Sequence, residues 1–195
     1  MRIVGGRLAG RDLYGPRDPR VRPTAEPVRG ALLDHLAGEI TGARVLDLFA
    51  GTGALGLEAI SRGAATADFV EWRPTSLHAL KSNITSLKLR DRTRIFRKDA
   101  IRFAEALTAD RYDVAFADPP YESRQLDWVI RLWHDLAFSR VLAVEHASTH
   151  PLPPGTATLD FGTTRATIYR HPVGPVTTAE PPATTTPSPK PSRRA

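Results

Sequence analysis

The chain has 195 residues, 41% of them hydrophobic and 25% charged, the size and balance of one soluble globular domain. It has no run of about 18 apolar residues and no apolar stretch at its start, so neither a membrane span nor a secretory leader is predicted, and the expected compartment is the cytoplasm. It has no cysteine, which excludes disulfides, thiolate metal sites and every mechanism that needs a Cys nucleophile, and 27 Lys and Arg against 21 Asp and Glu give a formal charge of +6, which favours polyanionic partners, nucleic acid first.

Residues 1–29 carry seven Arg against three acids. The opening Arg2-Ile3-Val4-Gly5-Gly6-Arg7-Leu8, followed by Arg11-Asp12-Leu13-Tyr14, predicts two short strands around a glycine-rich turn. From residue 30 to 171, strand-like and helix-like segments alternate. Residues 44–49 (RVLDLF) are a short apolar run, hence a buried strand, and 53–62 follow as a closely packed helix. Residues 67–71 (ADFVE) predict a second strand. Residues 74–87 predict a helix, with Pro74 in its first turn and Leu77, Leu80, Ile84 and Leu87 on one stripe. Strand 93–96, helix 101–107, strand 114–117, helix 126–136 and strand 141–145 come next. Residues 156–161 and 165–170 predict a closing hairpin around Gly162. Residues 172–195 hold seven Pro and five Thr and are predicted to be disordered, because they bury too little apolar surface to offset chain entropy.

This alternation implies an α/β fold, a mostly parallel sheet with helices on both faces. In such sheets ligands sit beyond the carboxyl ends of the strands, which selects four loops. The first, Asp47-Leu48-Phe49-Ala50-Gly51-Thr52-Gly53-Ala54-Leu55-Gly56, satisfies GxGxxG and reads equally as a dinucleotide loop or as packing glycine. Asp47, placed just before the turn, suits a cationic ligand group such as an amino acid's ammonium better than a pyrophosphate. In the second loop, Glu71 stands where an acid accepts ribose hydroxyls. In the third, Asp99 either accepts from an adenine amino group or caps the following helix, and the two roles are compatible. The fourth is Asp118-Pro119-Pro120-Tyr121. Two prolines stiffen it and remove two donors, so that a carboxylate and a carbonyl become acceptors for a ring NH₂, with Tyr121 as the stacking face. His146 and His150, four apart, fall in a segment read as a loop and suggest no metal site.

The four motifs DLFAGTGALGLEA, VEW, KDA and DPPY, in that order, resemble those of class I S-adenosylmethionine-dependent amino methyltransferases. The upstream segment Arg22-Pro23-Thr24 with Val28-Arg29 resembles the RPT…VR signature of the bacterial ribosomal RNA small-subunit methyltransferase D family, as the opening MRIVGGRLAGRDL resembles its N-terminal hairpin. The likeness covers about residues 1–171; Gly30 departs from it, standing where a helix-favouring residue is usual. It implies a basic hairpin extension (1–29), a Rossmann-like methyltransferase domain (30–171) and a tail without counterpart (172–195). It also implies methyl transfer from S-adenosylmethionine to the N2 amine of a guanine in 16S rRNA. The substrate would be a small-subunit particle, and the enzyme a metal-free monomer with no membrane partner. The resemblance assigns Thr24, Asp47, Phe49, Ala50, Gly51, Gly53, Glu71, Asp99, Ala100 and Asp118 to the cofactor. It assigns Asp118, Pro119, Pro120 and Tyr121 to catalysis, and Arg2, Arg7, Arg11 and Arg22 to RNA. An adenine-N6 DNA methyltransferase would use the same tetrapeptide but would need a target-recognition domain for which the chain has no room. A nicotinamide-dependent oxidoreductase leaves DPPY unexplained, and a non-catalytic RNA-binding module leaves the four loop acids unexplained.

Overall fold

The computed structural model describes residues 1–15, 25–120 and 124–171. Arg22, Thr24, Tyr121 and the Pro/Thr-rich tail lie outside the described residues. The regular elements are α1 (Glu26–His35), α2 (Ala37–Ile40), β1 (Arg44–Asp47), α3 (Ala54–Ser61), β2 (Thr66–Val70), α4 (Pro74–Ser86), β3 (Thr93–Phe96), α5 (Ala100–Glu105), β4 (Tyr112–Ala117), α6 (Gln125–Leu136), β5 (Ser139–Ala147), β6 (Ala157–Asp160) and β7 (Thr164–Arg170). Each strand and helix predicted between residues 44 and 170 is present, with ends shifted by one or two residues. The helices α1 and α2 have no counterpart in the periodicity reading.

One seven-stranded sheet runs in the order β3-β2-β1-β4-β5-β7-β6. β1 to β5 pair in parallel, and only β7 runs against its neighbours, β5 on one side and β6 on the other. Alternation along the strands splits the core between the two faces. Val45, Phe69, Phe116 and Ala143 meet Leu32 and Leu36 of the α1 region, Leu57 and Ile60 of α3, and Leu80 and Ile84 of α4. Leu46, Val70, Ala115 and Leu142 meet Ala104 of α5 and Leu126, Val129, Ile130 and Trp133 of α6. The strands therefore need apolar residues at nearly every position, which is why β1 and β4 read as runs and not as alternations.

The N-terminal segment departs from the expected pair of strands. It closes on a single bridge, Arg2 to Asp12, around a 3₁₀ turn at Gly6–Leu8. Its main-chain groups have a second partner that the sequence did not disclose. Glu58, fully buried on α3, accepts from the N–H of Val4 at 2.8 Å and of Gly5 at 2.6 Å. Arg29 of α1, also fully buried, donates to the same carboxylate at 3.3 Å and to the carbonyl of Arg2. Arg62 Nε donates to it at 3.1 Å and the Arg62 guanidinium also meets Asp34. Ile3 and Leu13 then enter the core on the α3 side. Glu58→Ala removes the buried counter-charge of the Arg29 guanidinium and the acceptor of two backbone N–H groups. Equilibrium denaturation should show a loss of about 3–5 kcal/mol, and limited proteolysis should cut first in residues 1–15. Unchanged stability would show that the buried carboxylate does not anchor this segment.

Candidate active site

α3 and α4 return across one face of the sheet, α5 and α6 across the other, so the chain leaving β1 and the chain leaving β4 part at their carboxyl ends. The crevice between them is a cleft of about 470 Å³, a volume suited to a small-molecule ligand. All four loops selected from the sequence line it, with residues 47–52, 71–73, 98–100 and 118–120. Phe49, Ala50, Gly51 and Ala100 are among them. Gly53 is not; it precedes α3 with φ +82°, and a Cβ there would lie 2.4 Å from Leu80 Cδ1. Gly56 is likewise a packing residue, since a Cβ would lie 2.4 Å from the Phe69 ring. Of the three glycines in the GxGxxG match, only Gly51 lines the ligand space. The seven-strand order with an antiparallel β7 also differs from the 3-2-1-4-5-6 order of a dinucleotide-binding sheet.

Asp47 ends β1 at 2% exposure and accepts from the Gly56 N–H at 3.1 Å. Burial, opposed by that bond and reinforced by the nearby Glu71, pushes its carboxyl up to about 7. A carboxyl held this far from its ordinary range is poised for a cationic partner. Glu71, buried at the end of β2, ties two loops together: one oxygen accepts from Gly51 N–H at 2.9 Å, the other from Trp72 and Arg73 N–H at 2.8 Å each. Asp99 caps α5, accepting from Arg102 N–H at 3.0 Å, and lines the cleft as well. Asp118 is half-buried and Pro119 buried, both on the β4 side of the opening.

The sequence reading missed several lining residues. Trp72, 59% exposed, stands directly after Glu71, and its place in the VEW motif was the available signal. Val28, Gln125, Glu145 and Thr164 also line the cleft; Glu145 and Thr164 are buried on β5 and β7, where only the pairing of those strands brings them to the site. Arg2, Arg7 and Arg11 are exposed on the N-terminal segment and none lines the cleft. Arg2 pairs with Glu26 at 3.4 Å and Arg11 donates to the Ser86 carbonyl at 3.2 Å. His146 is in β5, not in a loop, and its Nε2 lies 2.9 Å from Thr167 Oγ1. Among the described residues no group of His, Asp and Glu has a metal-binding arrangement, and no helix is long and apolar enough to cross a membrane.

The sheet order, the antiparallel seventh strand and a cleft framed by the β1 and β4 loops define a class I methyltransferase fold. A solved structure described as the putative methyltransferase yhhF from Escherichia coli superposes with a TM-score of 0.75 at 33% identity, covering 87% of this chain and 97% of that one. The Ribosomal RNA small subunit methyltransferase D of Escherichia coli K12 is 38% identical over 156 residues, 78% of each chain. The putative rRNA methyltransferase YlbH of Bacillus subtilis is 31% identical over 181 residues, 87% of this chain and 98% of its own. Residues 1–168 match the model of the family described as conserved hypothetical protein 95. The chain belongs to this family, that of the bacterial ribosomal RNA small-subunit methyltransferase D proteins.

The raised Asp47 carboxyl has a consequence for the ligand-free protein. Its protonated form is favoured in the folded state, so its contribution is fully present below the ordinary carboxylate range and is lost as pH rises towards 7. The full loss is on the order of 4 kcal/mol. Asp47→Asn keeps an oxygen for the Gly56 N–H and removes the titration. Its thermal midpoint should match the parent near pH 4 and exceed it at pH 8; a constant difference across that range would show that Asp47 is not the titrating group.

Proposed function

We propose that this protein transfers a methyl group from S-adenosylmethionine to the exocyclic N2 amine of a guanine in 16S rRNA. It would act in the cytoplasm, as a monomer, on a small-subunit particle. The observation that carries the reading is the pairing, across one cleft, of a buried carboxyl with no cation beside it among the described residues and a stiff loop that offers acceptors to an amine. Family membership supports small-subunit rRNA as the substrate, because the curated relative in Escherichia coli bears that activity in its name.

The residues fit the cofactor. Asp47 would hold its ammonium, Glu71 its ribose hydroxyls, and Asp99 with Ala100 its adenine, while Phe49, Ala50 and Gly51 shape the wall between. Gly51 has φ +54°, a left-handed conformation that glycine adopts at little cost. Thr24 completes the set on the strength of the motif, while Gly53, packed against Leu80, would support the loop from behind. The bound cofactor supplies a sulfonium-activated methyl group. The guanine amine is a poor nucleophile because its lone pair is delocalised into the ring. Asp118 and the Pro119 carbonyl would accept its N–H bonds, with Pro120 keeping the loop rigid and Tyr121 stacking on the base. That hold favours a tetrahedral N2, which uncouples the lone pair from the ring's π system and aims it at the methyl group. As N2 bonds to the methyl carbon, that carbon's bond to sulfur breaks with its electron pair left on sulfur; the positive charge N2 gains would be stabilised by the Asp118 carboxylate, and N2 then gives up one proton to solvent. Arg2, Arg7, Arg11 and Arg22 would contact rRNA phosphates beyond the cleft.

Asp118 and Glu71 should separate chemistry from binding. In single-turnover methylation of small subunits from a strain lacking the homologous enzyme, Asp118→Ala should lower the rate about 10²-fold or more. Asp118→Asn should fall between Ala and the parent. Cofactor affinity, measured by calorimetry, should change by less than about 1 kcal/mol in both. Glu71→Ala should weaken the cofactor by one to two orders of magnitude or more, since each charge-assisted bond lost is worth about 1.5–3 kcal/mol. Parental turnover in Asp118→Ala, or the absence of N2-methylguanine from the parental reaction, would overturn this function.

A further inference from the structure

Resting on the guanine reading above, we infer that Glu145 determines base specificity by accepting the N1–H of the target guanine, with its second oxygen beside the N2 amine. Glu145 lines the cleft from β5, only 6% exposed. The parallel register pairs Ala117 with Val144, so one step further Asp118, leaving β4, stands beside Glu145, which is still within β5. Thr164 of β7, diagonal to Glu145 across the Glu145–Ala166 pair, lines the same wall. Two carboxylates thus stand at the acceptor end of the cleft, while Asp47 and Glu71 stand at the β1–β2 end. One of the two is enough to serve the amine that reacts.

The remaining carboxylate matches what distinguishes guanine from adenine. Guanine presents two donors in a row on its Watson–Crick edge, N1–H and N2–H, and an ionised carboxylate offers two acceptors and no donor. Adenine presents a bare N1 beside its amine, which sets a lone pair against a carboxylate oxygen. A buried site built to accept a hydrogen bond rejects an analogue that lacks the donor far more strongly than size alone would. Glu145 makes and breaks no covalent bond; its two oxygens choose the base and fix its angle while Asp118 faces the amine from the other side.

The test exchanges acceptor for donor on both partners. Once the methylated guanine is mapped by mass spectrometry, small-subunit rRNA is assembled by splinted ligation with guanine or 2-aminopurine at that position. The analogue keeps the amine but has a bare N1. The parent should favour guanine over 2-aminopurine in kcat/KM by about 10²-fold or more. Glu145→Gln offers an amide N–H to the bare N1 and should shift this preference at least tenfold towards 2-aminopurine. Comparing the shift between proteins cancels the intrinsic reactivity of the analogue, and calorimetry with S-adenosylmethionine identifies a folded variant. An unshifted preference in a cofactor-binding Glu145→Gln, or a parent that methylates 2-aminopurine as well as guanine, overturns the assignment. The second outcome needs no variant to fold. A parent that yields no N2-methylguanine at all removes the functional reading itself, and this inference with it.

Discussion

Neighbouring parallel strands whose following helices lie on opposite faces cannot both be covered at their carboxyl ends, and β1 and β4 are such a pair. The chain leaves β1 towards the α3 face and β4 towards the α6 face, although the two strands are bonded in register from Val45–Val114 to Asp47–Phe116. The crevice that results is the only reason that Asp47 and Asp118, 71 positions apart in sequence, open on one space. It also sets the division of labour within that space. The β1, β2 and β3 loops supply one end, and the β4 loop with β5 and β7 supplies the other. A substrate that approaches from the β4 side meets the proposed methyl donor at the boundary.

Two buried carboxylates, Asp47 lining the cleft and Glu58 outside it, show how environment assigns a role. Glu58 and Asp47 are both shielded from water, one on α3 and one just before it. Glu58 is met by two backbone N–H groups and two guanidinium groups, which answer its charge within the chain. It fastens the N-terminal segment and α1 to the sheet domain. Asp47 receives one backbone N–H, and its carboxyl is pushed up to about 7. The imbalance at Asp47 costs stability in the ligand-free protein and supplies the differential that a cationic ligand would remove. Arg29 illustrates the converse: part of the VR segment of the family signature, it holds the fold together instead of reaching solvent.

Glu71 joins the two ideas. Its oxygens accept from Gly51 on one side and from Trp72 and Arg73 on the other, so it shapes the glycine loop before any ribose is present. An acid here thus both positions the wall and lines it. The same economy holds at Asp99, which caps α5 and faces the cleft. The loops proposed to hold the cofactor are braced, because the same carboxylates satisfy main-chain donors.

Much of this was legible in the linear chain. Apolar runs bounded by Gly, Pro and acids located β1 to β5 and their helices, because a strand buried on both faces has no other composition. The carboxyl-end rule then selected the loops at Asp47, Glu71, Asp99 and Asp118, and the order of their motifs carried the resemblance to the methyltransferase D family. Local pattern could not foresee that Gly53 and Gly56 pack against Leu80 and Phe69, nor that Arg29 is buried, since both depend on contacts across the domain. Nor could it place Glu145 and Thr164. An acid at the end of an apolar run reads as a solvated strand terminus until β7 folds back antiparallel on β5 and encloses it. Residue type and spacing determined which strands and loops this protein has; the order in which those strands pair decided which side chains share the cleft, because that order arises from contacts between segments far apart in sequence.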